Sequence, residues 1–179
     1  MHQDAFYAVL GCRYIMYGEW MYAKHSIYYD SLPHYFMEFD VLDRDTGKFL
    51  DTPARHKLLG SLPVCHVPVL ASGVFRNISD ILQYLGDSCY ITPDHIEHLR
   101  EDASRLGLDA DRICRETDAS CTMEGIYIKV EENGEVADRM KYVRASFLQT
   151  VETPQTAWLD RAIVPNRITA SLDKLFENV

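Results

Sequence analysis

The dipeptide Asn133-Gly134 imposes the strongest local constraint on the fold of this chain. It separates two β-prone runs, Ile126–Glu131 and Val136–Val143. Asparagine and glycine tolerate a positive φ, which the two-residue turn of a tight hairpin requires. The sequence therefore predicts a β-hairpin here, and with it an antiparallel component of the fold.

The predicted hairpin carries an unusual set of charges. Glu124 and Lys129 belong to its first strand, and Arg139, Lys141 and Arg144 follow on the second. A carboxylate beside several cations is the composition that a metal–phosphate site needs. A solvated sheet face would have the same composition, and the stretch alone favours that simpler interpretation.

The overall composition indicates one soluble globular domain. The chain has 179 residues, of which 47% are hydrophobic and 25% charged, as is usual for a domain with a single core. Its five cysteines form no C-x-x-C pair, which indicates reduced thiols, a cytoplasmic location and no structural zinc. We expect no membrane contact, because no apolar run approaches transmembrane length and the first residues do not resemble a signal peptide. We also expect a monomer.

The charge distribution is uneven along the chain. The net charge of −9 does not favour nucleic acid as a bulk partner. Acidic residues are concentrated in 87–118, with nine acids against four bases, whereas residues 139–179 carry a net +2. A local basic surface in the C-terminal part is therefore compatible with the sequence.

Periodicity and cap signals predict a mixed order of helices and strands. Strands are expected over 14–19, 35–43 and 64–70, and helices over 3–10, 52–62, 79–85, 92–106, 109–116 and 172–176. The second helix is expected to have Thr52 as its N-cap and Pro53 at its first position.

The region of about 77–118 is expected to be an acidic helical insertion, solvated on the surface. Within it His95 and His98 are spaced to share a metal ion. With no third ligand evident, we expect two surface histidines instead.

Tyrosines are concentrated near the start of the chain. Seven of the eleven lie at or before Tyr35. Packing would explain such a cluster, and a wall for a flat ligand is the functional alternative.

Four short motifs occur in a characteristic order. They are YGEWM at 17–21, FMEFD at 36–40, EGIYIK at 124–129 and RMKYVR at 139–144. Together they resemble the covalent nucleotidyltransferase superfamily, specifically the ATP-dependent RNA ligases that seal nicks in duplex RNA. The resemblance covers essentially the whole chain, including Val164-Pro165-Asn166-Arg167.

The resemblance implies an α+β fold, an ATP-grasp-like nucleotidyltransferase domain of antiparallel sheets with flanking helices. This domain would span about 1–150, be incomplete at its N-terminus and hold nucleotide between its sheets. Residues 151–179 would form a tail packed on the same domain.

The resemblance also implies roles for individual residues. Five match positions on the nucleotide, namely Glu19, Phe39, Asp40, Lys129 and Arg144. Glu19 would bind the ribose hydroxyls and Phe39 would stack on adenine. Glu124 would hold a catalytic Mg²⁺ or Mn²⁺, and Lys141 would contact the α-phosphate.

The implied reaction joins RNA ends in three steps. A lysine attacks the α-phosphate of ATP, AMP passes to an RNA 5′-phosphate, and a 3′-hydroxyl then displaces AMP. ATP or AMP and RNA ends or nicked duplex RNA are thus the implied partners, and RNA repair is the implied process.

The chain departs from the family pattern in two places. The last motif usually has two lysines two apart, but Val143 stands two after Lys141, with Arg144 next. The nucleophilic lysine motif, K-x-x-G, should precede residue 17. The single K-x-x-G comes later, at Lys57–Gly60, and we interpret it as a chance match inside a helix.

These departures lead to an expectation about the start of the chain. We expect a family member without its N-terminal portion, unable to adenylylate itself, with exposed apolar surface or unpaired strand edges near the N-terminus. A non-catalytic domain that binds nucleotide or RNA ends is the alternative. A third possibility is the same chemistry on DNA nicks or with GTP, against which the motifs argue.

Overall fold

A computed structural model describes residues 3–147 and 162–169. It contains the helices α1 (Gln3–Leu10), α2 (Thr52–Leu59), α3 (Ile78–Leu82), α4 (His95–Arg105) and α5 (Ala110–Arg115). Its strands are β1 (Tyr14–Trp20), β2 (Phe36–Asp43), β3 (Lys48–Phe49), β4 (Cys65–His66), β5 (Gly125–Glu132) and β6 (Glu135–Val143). The expected α+β fold with antiparallel sheets is confirmed. The helix expected over 172–176 lies outside the described residues.

Strand β2 is the centre of the larger sheet. It pairs antiparallel with β1 along its whole length and with β3 at its end, and parallel with β4. The other edge of β1 pairs with no strand in the described part of the chain. Beside this edge Ile15, Tyr17 and Trp20 are exposed, so the expected apolar surface and unpaired edge near the N-terminus are present.

One core covers a face of this sheet. Its buried centre is Val41 of β2 with Leu59 and Leu62, which end and follow α2. Apolar residues of α1 and β1 pack around them, including Phe6 and Met16. Helices α1 and α2 thus cover one face and leave the opposite face for the hairpin.

The hairpin β5–β6 forms as the sequence predicts. Asn133 and Gly134 have φ values of 53° and 85°, and both lie in the left-handed region that a tight hairpin turn needs. The Gly134 carbonyl accepts a hydrogen bond from the Asp51 amide at 3.1 Å. The turn is therefore fixed against the start of α2.

The helical region 78–115 is more deeply packed than the expected solvated insertion. Leu99 of α4 forms a second core with Tyr28 and Val164. His95 is 1% exposed, and His98 Nδ1 lies 2.7 Å from Asp30 Oδ2. The expectation of two surface histidines is wrong, because this face of α4 packs on the chain between β1 and β2.

Two element boundaries also differ from expectation. The N-cap of α2 is Asp51, whose carboxylate accepts from the Ala54 amide at 2.9 Å. Thr52 instead uses its amide and hydroxyl on Glu131 of the hairpin. The strand expected over 64–70 is reduced to β4, because only two residues pair with β2.

Residues 162–169 bind the connection between β1 and β2. Asn166 is 3% exposed, and its side chain accepts from the Tyr29 amide and donates to the Met21 carbonyl. A third bond joins the backbone amide of Asn166 to the Tyr22 carbonyl at 2.7 Å. These contacts concern residues 162–169 of the expected tail, and the packing of the whole tail on the domain stays a prediction. Residues 151–161 and 170–179 lie outside the described residues.

No helix in the described ranges is long and apolar enough to cross a membrane.

Candidate nucleotide and metal site

A β-bulge in β2 determines which side chains face the hairpin. Tyr17 pairs with Asp40 and Gly18 with Glu38, so Phe39 is an extra residue without a partner on β1. A bulge re-aims the side chains beside it. Phe39 and Asp40 accordingly both contact the hairpin, whereas Glu38 bonds to Arg55 of α2.

Asp40 forms the centre of a buried charge cluster. It is 3% exposed, and Lys129 Nζ lies 2.7 Å from its Oδ1. Arg139 NH2 lies 3.4 Å from the other oxygen, to which the Tyr127 hydroxyl donates at 3.3 Å. The negative charge of Asp40 is thus matched by two cations from facing positions of β5 and β6.

Phe39 lies beside this cluster. Its ring meets the Tyr127 ring edge-on, with centroids 6.2 Å apart. Its carbonyl accepts from Lys129 Nζ at 2.5 Å. The ring is only half-buried, so part of it remains available to another flat group.

A second cluster is built around Glu124, at the base of the hairpin. The Tyr29 hydroxyl donates to Glu124 Oε1 at 3.4 Å. Burial and the nearby charge of Glu19 raise the pKa of Glu124, while Lys141, the Tyr29 bond and His25 act in the opposite direction. Glu124 therefore interacts electrostatically with Glu19 and Lys141, and the roles that the motifs imply for these three residues stay predictions.

Tyr29 is held in the same environment. Burial, followed by the charges of Glu124 and Glu19, raises the pKa of its hydroxyl well above the ordinary value. It therefore stays protonated and can only donate to the carboxylate. Asn166 fixes its backbone, as described above.

Each of the two carboxylates has a glycine as its neighbour. A Cβ on Gly125 would lie 1.9 Å from the Tyr142 carbonyl oxygen. A Cβ on Gly18 would lie 2.3 Å from the Phe36 ring and 2.8 Å from the Met37 carbonyl oxygen. Neither distance leaves room for a side chain, so the strands can approach this closely only because glycine stands in the motifs at 17–21 and 124–129.

Arg144 occupies a different position from the other predicted site residues. It is 8% exposed, and its guanidinium donates to the Met123 carbonyl at 2.9 Å and to the Asp118 carboxylate. Further bonds go to the hydroxyls of Ser120 and Ser146. These contacts anchor the base of the hairpin, and a nucleotide contact by Arg144 stays a prediction.

Arg139 is a site residue that the motif comparison missed. It stands two residues before Lys141, so both side chains project from the same face of β6. Its guanidinium lies over the Phe49 ring, with the central carbon 3.7 Å from the centroid. The family pattern has two cations two residues apart. Arg139 and Lys141 have this spacing, but the second cation precedes Lys141 instead of following it, and the alternation of side chains along the strand could have identified it.

Tyr29 and Asn166 could not be assigned from sequence, because their contacts join residues far apart in the chain.

The K-x-x-G segment at 57–60 forms the last turn and the C-cap of α2, as its interpretation as a chance match inside a helix expects. Lys57 is exposed in the last turn of α2, and Leu59 is buried in the core. Gly60 caps the helix in an ordinary right-handed conformation. The segment thus completes a core-packed helix.

The family model described as RNA ligase matches residues 1–143. The chain belongs to the RNA ligase family. Among curated proteins and solved structures it has no significant match. RNA end-joining chemistry and RNA substrates follow at the level of the family.

Proposed function

We propose that this chain is the adenylyltransferase-type domain of an ATP-dependent RNA ligase. It would act on RNA 5′-phosphate and 3′-hydroxyl ends in RNA repair, in the cytoplasm and as a monomer. The observation that carries the proposal is that one hairpin bears both Glu124, whose charge interacts with those of Glu19 and Lys141, and the residues Tyr127 and Lys129 that contact Phe39 and Asp40. A domain that binds nucleotide or RNA ends without catalysis remains the second candidate, because the described residues provide no convincing nucleophile.

The nucleoside would bind between the bulge of β2 and the hairpin. Phe39 offers a half-buried ring for adenine, and Glu19 is an exposed acid suited to ribose hydroxyls. Lys129 bonds both the Phe39 carbonyl and Asp40. In this arrangement Asp40 and Lys129 hold the bulge in shape as well as bordering the nucleotide.

The carboxylate of Glu124 fits a divalent cation, with the charge of Glu19 nearby. Hard oxygen ligands suit Mg²⁺ and Mn²⁺. The raised pKa of Glu124 reflects burial beside a second acid, and a cation would relieve that repulsion. The ion, when bound, neutralises charge on the phosphate oxygens, which is the main requirement of phosphoryl-type transfer.

Lys141, which is exposed on the same face of β6 as Arg139, would contact the α-phosphate. Arg139 supplies the second cation at the family spacing, although its guanidinium already contacts Asp40 and Phe49. Arginine differs from lysine in size and geometry. We therefore infer that Arg139 shapes the nucleoside side of the site and that Lys141 is the phosphate contact.

The absence of a placed nucleophile within the described residues gives the proposal a sharp test. The chain is incubated with ATP labelled in the α-phosphate and with Mg²⁺ or Mn²⁺, and covalent label is measured. We expect no stable label on this chain. Label traced to Lys57 would refute the interpretation of 57–60 as a chance match.

Nucleotide binding itself is tested with a pair of matched phenylalanine variants. Phe39→Ala should weaken ATP binding about tenfold, because stacking of a base on an aromatic ring contributes about 1–3 kcal/mol. Phe75→Ala is the control, since Phe75 also meets a tyrosine ring edge-on at 6.2 Å but belongs to neither cluster. Equal ATP affinity of wild type and Phe39→Ala would overturn the assignment of the nucleoside site.

A complementation assay distinguishes the ligase domain from the non-catalytic binding domain. A peptide that carries the family lysine motif is added with ATP and nicked duplex RNA, and sealing is measured. Sealing supports the ligase domain. Binding of ATP and RNA without sealing favours the non-catalytic domain, and replacing ATP by GTP or the RNA by nicked DNA tests the third possibility.

A further inference from the structure

Three aromatic rings near the end of β1 form a row, in which Trp20 and Tyr22 are exposed and Tyr35 is half-buried. The Tyr35 ring contacts both of the others. Its centroid lies 5.9 Å from that of Trp20 and 5.2 Å from that of Tyr22. Trp20 is 65% exposed and Tyr22 40%. Packing alone leaves such large rings covered, so these rings present a surface rather than a core.

A groove of about 350 Å³ continues from this row. Tyr35 forms one wall, and Pro165 and Ile168 contribute to the lining from the segment 162–169. Arg105 and Leu106 border it from the end of α4. The volume is within the range of pockets that hold a nucleotide-sized ligand.

The groove is separate from the candidate nucleotide site. Trp20 follows Glu19 directly on β1, and successive side chains of a strand project to opposite faces. Glu19 interacts with Glu124 and Tyr29 on its side of the strand. Trp20 therefore projects to the face opposite Glu19, and the described lining of the groove shares no residue with the clusters of Asp40 and Glu124.

We propose that the row of rings and its groove bind an unpaired stretch of the RNA substrate by base stacking. The proposal rests on the proposed function, and it adds a second place of contact outside the adenylylation site. Trp20 and Tyr22 are the exposed rings of the row, and exposed aromatic side chains are the groups on which proteins stack single-stranded bases irrespective of sequence. Arg105, whose side chain is 75% exposed, supplies a cation for the backbone at the rim.

The charges of the groove favour stacking over phosphate neutralisation. Arg105 and Arg167 both pair with Asp102, and Arg167 also pairs with Glu101. The local charges thus nearly cancel, and the whole chain carries −9. Binding should therefore depend only weakly on salt, with a slope of log K against log salt of about −1, as for one or two phosphate contacts on a single strand.

The first test uses the intrinsic fluorescence of Trp20. The chain has two tryptophans, so Trp158→Phe leaves Trp20 as the sole indole emitter. Titration with an oligouridylate of about 8 nucleotides, a usual site size, should quench this emission and saturate. An emission that does not change while the same oligonucleotide binds would overturn the proposal.

The second test compares matched variants by the anisotropy of a labelled oligouridylate. Tyr22→Leu keeps an apolar side chain but removes the ring, and it should weaken binding about tenfold if stacking is responsible. Trp20→Ala should weaken binding at least as much. Tyr7→Ala is the control, because Tyr7 is 70% exposed on α1 and away from the groove.

A charge variant provides an independent check. Arg105→Gln should weaken binding about threefold and reduce the salt slope, whereas Arg100→Gln, on the same helix and paired with Asp111, should do neither. Equal effects of the two substitutions would contradict a specific contact at the rim.

Failure of this proposal can be distinguished from failure of the proposed function. If ATP binding persists and depends on Phe39 while Tyr22→Leu leaves RNA affinity unchanged, the groove assignment is wrong and the nucleotide site stands. If Tyr22→Leu binds RNA as tightly as wild type but disrupts a protein complex, the surface serves a protein partner and the proposal is also refuted. Loss of RNA affinity in Tyr22→Leu with unchanged ATP affinity supports it.

Discussion

Asp40 and Glu124 are carboxylates of the same candidate site in opposite electrostatic situations. Asp40 is buried between Lys129 and Arg139. Glu124 is half-buried beside a second acid, Glu19, and burial and that charge raise its pKa. One acid is fully compensated by the protein, and the other is poised to accept a cation from outside. The comparison suggests a division of roles within one site, in which Asp40 holds the protein in shape and Glu124 is left to bind a ligand.

The largest expected effect concerns the compensated acid. Asp40→Ala leaves the Lys129 ammonium and the Arg139 guanidinium without their partner in a largely buried place. We expect the free energy of unfolding to fall by about 3–5 kcal/mol, as when one member of a buried ion pair is removed. Urea denaturation measures it.

The control for this substitution is an exposed acid. Asp45→Ala removes a surface carboxylate that lies 3.4 Å from Arg13, and it should change the free energy of unfolding by less than about 1 kcal/mol. Similar losses in the two variants would mean that Asp40 is not specially compensated.

The next effect concerns the close strand approach beside Glu124. Gly125→Ala places a Cβ against the Tyr142 carbonyl and should destabilise by about 1–3 kcal/mol through overpacking. Gly86→Ala, where a Cβ meets nothing within 4 Å, is the matched control. A Gly125→Ala variant as stable as the control would show that the hairpin can shift without cost.

The acid beside Glu19, Glu124, should behave in the opposite way to Asp40. Glu124→Gln removes a repulsion with Glu19, so we expect an unchanged or higher free energy of unfolding together with loss of Mn²⁺ binding in the presence of ATP. Calorimetry measures both. Glu132→Gln, at the exposed end of β5, should leave Mn²⁺ binding intact, and a clear destabilisation by Glu124→Gln would contradict the comparison.

The smallest effect is a pH dependence. Because the pKa of Glu124 is raised in the folded state, the folded chain binds more protons than the unfolded chain between the two values. The contribution of Glu124 to stability therefore decreases as pH rises from the ordinary glutamate pKa through the raised one. The stability of Glu124→Gln relative to wild type should increase over this interval in urea titrations, and a difference independent of pH would argue against the raised value.

The parts of the fold that depend on neighbouring residues were predictable from sequence. Asn133-Gly134 specifies its turn by local backbone preference, and the helix at 3–10 follows from apolar periodicity. Asp51 and Thr52 are both suitable N-cap residues for α2, and the sequence alone did not show which of them caps the helix. Asp51 caps α2 because Thr52 is recruited by Glu131, which is 79 residues away.

The parts that depend on distant contacts were not predictable. The extra residue at Phe39 is visible only in the register between β1 and β2. The motifs identified Arg144, but its bond to Asp118 depends on how the chain returns from α5 to the hairpin. His95 is buried because α4 packs on the β1–β2 connection, which no local pattern encodes.

The hairpin is attached at both of its ends. At the turn, the Gly134 carbonyl accepts from Asp51, and at the base Arg144 joins Asp118. Because both ends are held, a displacement in the middle of the hairpin must strain one or both of these attachments. We therefore expect a ligand that displaces Lys129 or Arg139 to alter the hydrogen bonds at the start of α2 and after α5. A change in hydrogen-exchange protection at those two places would then indicate that a ligand occupies the space between β2 and the hairpin.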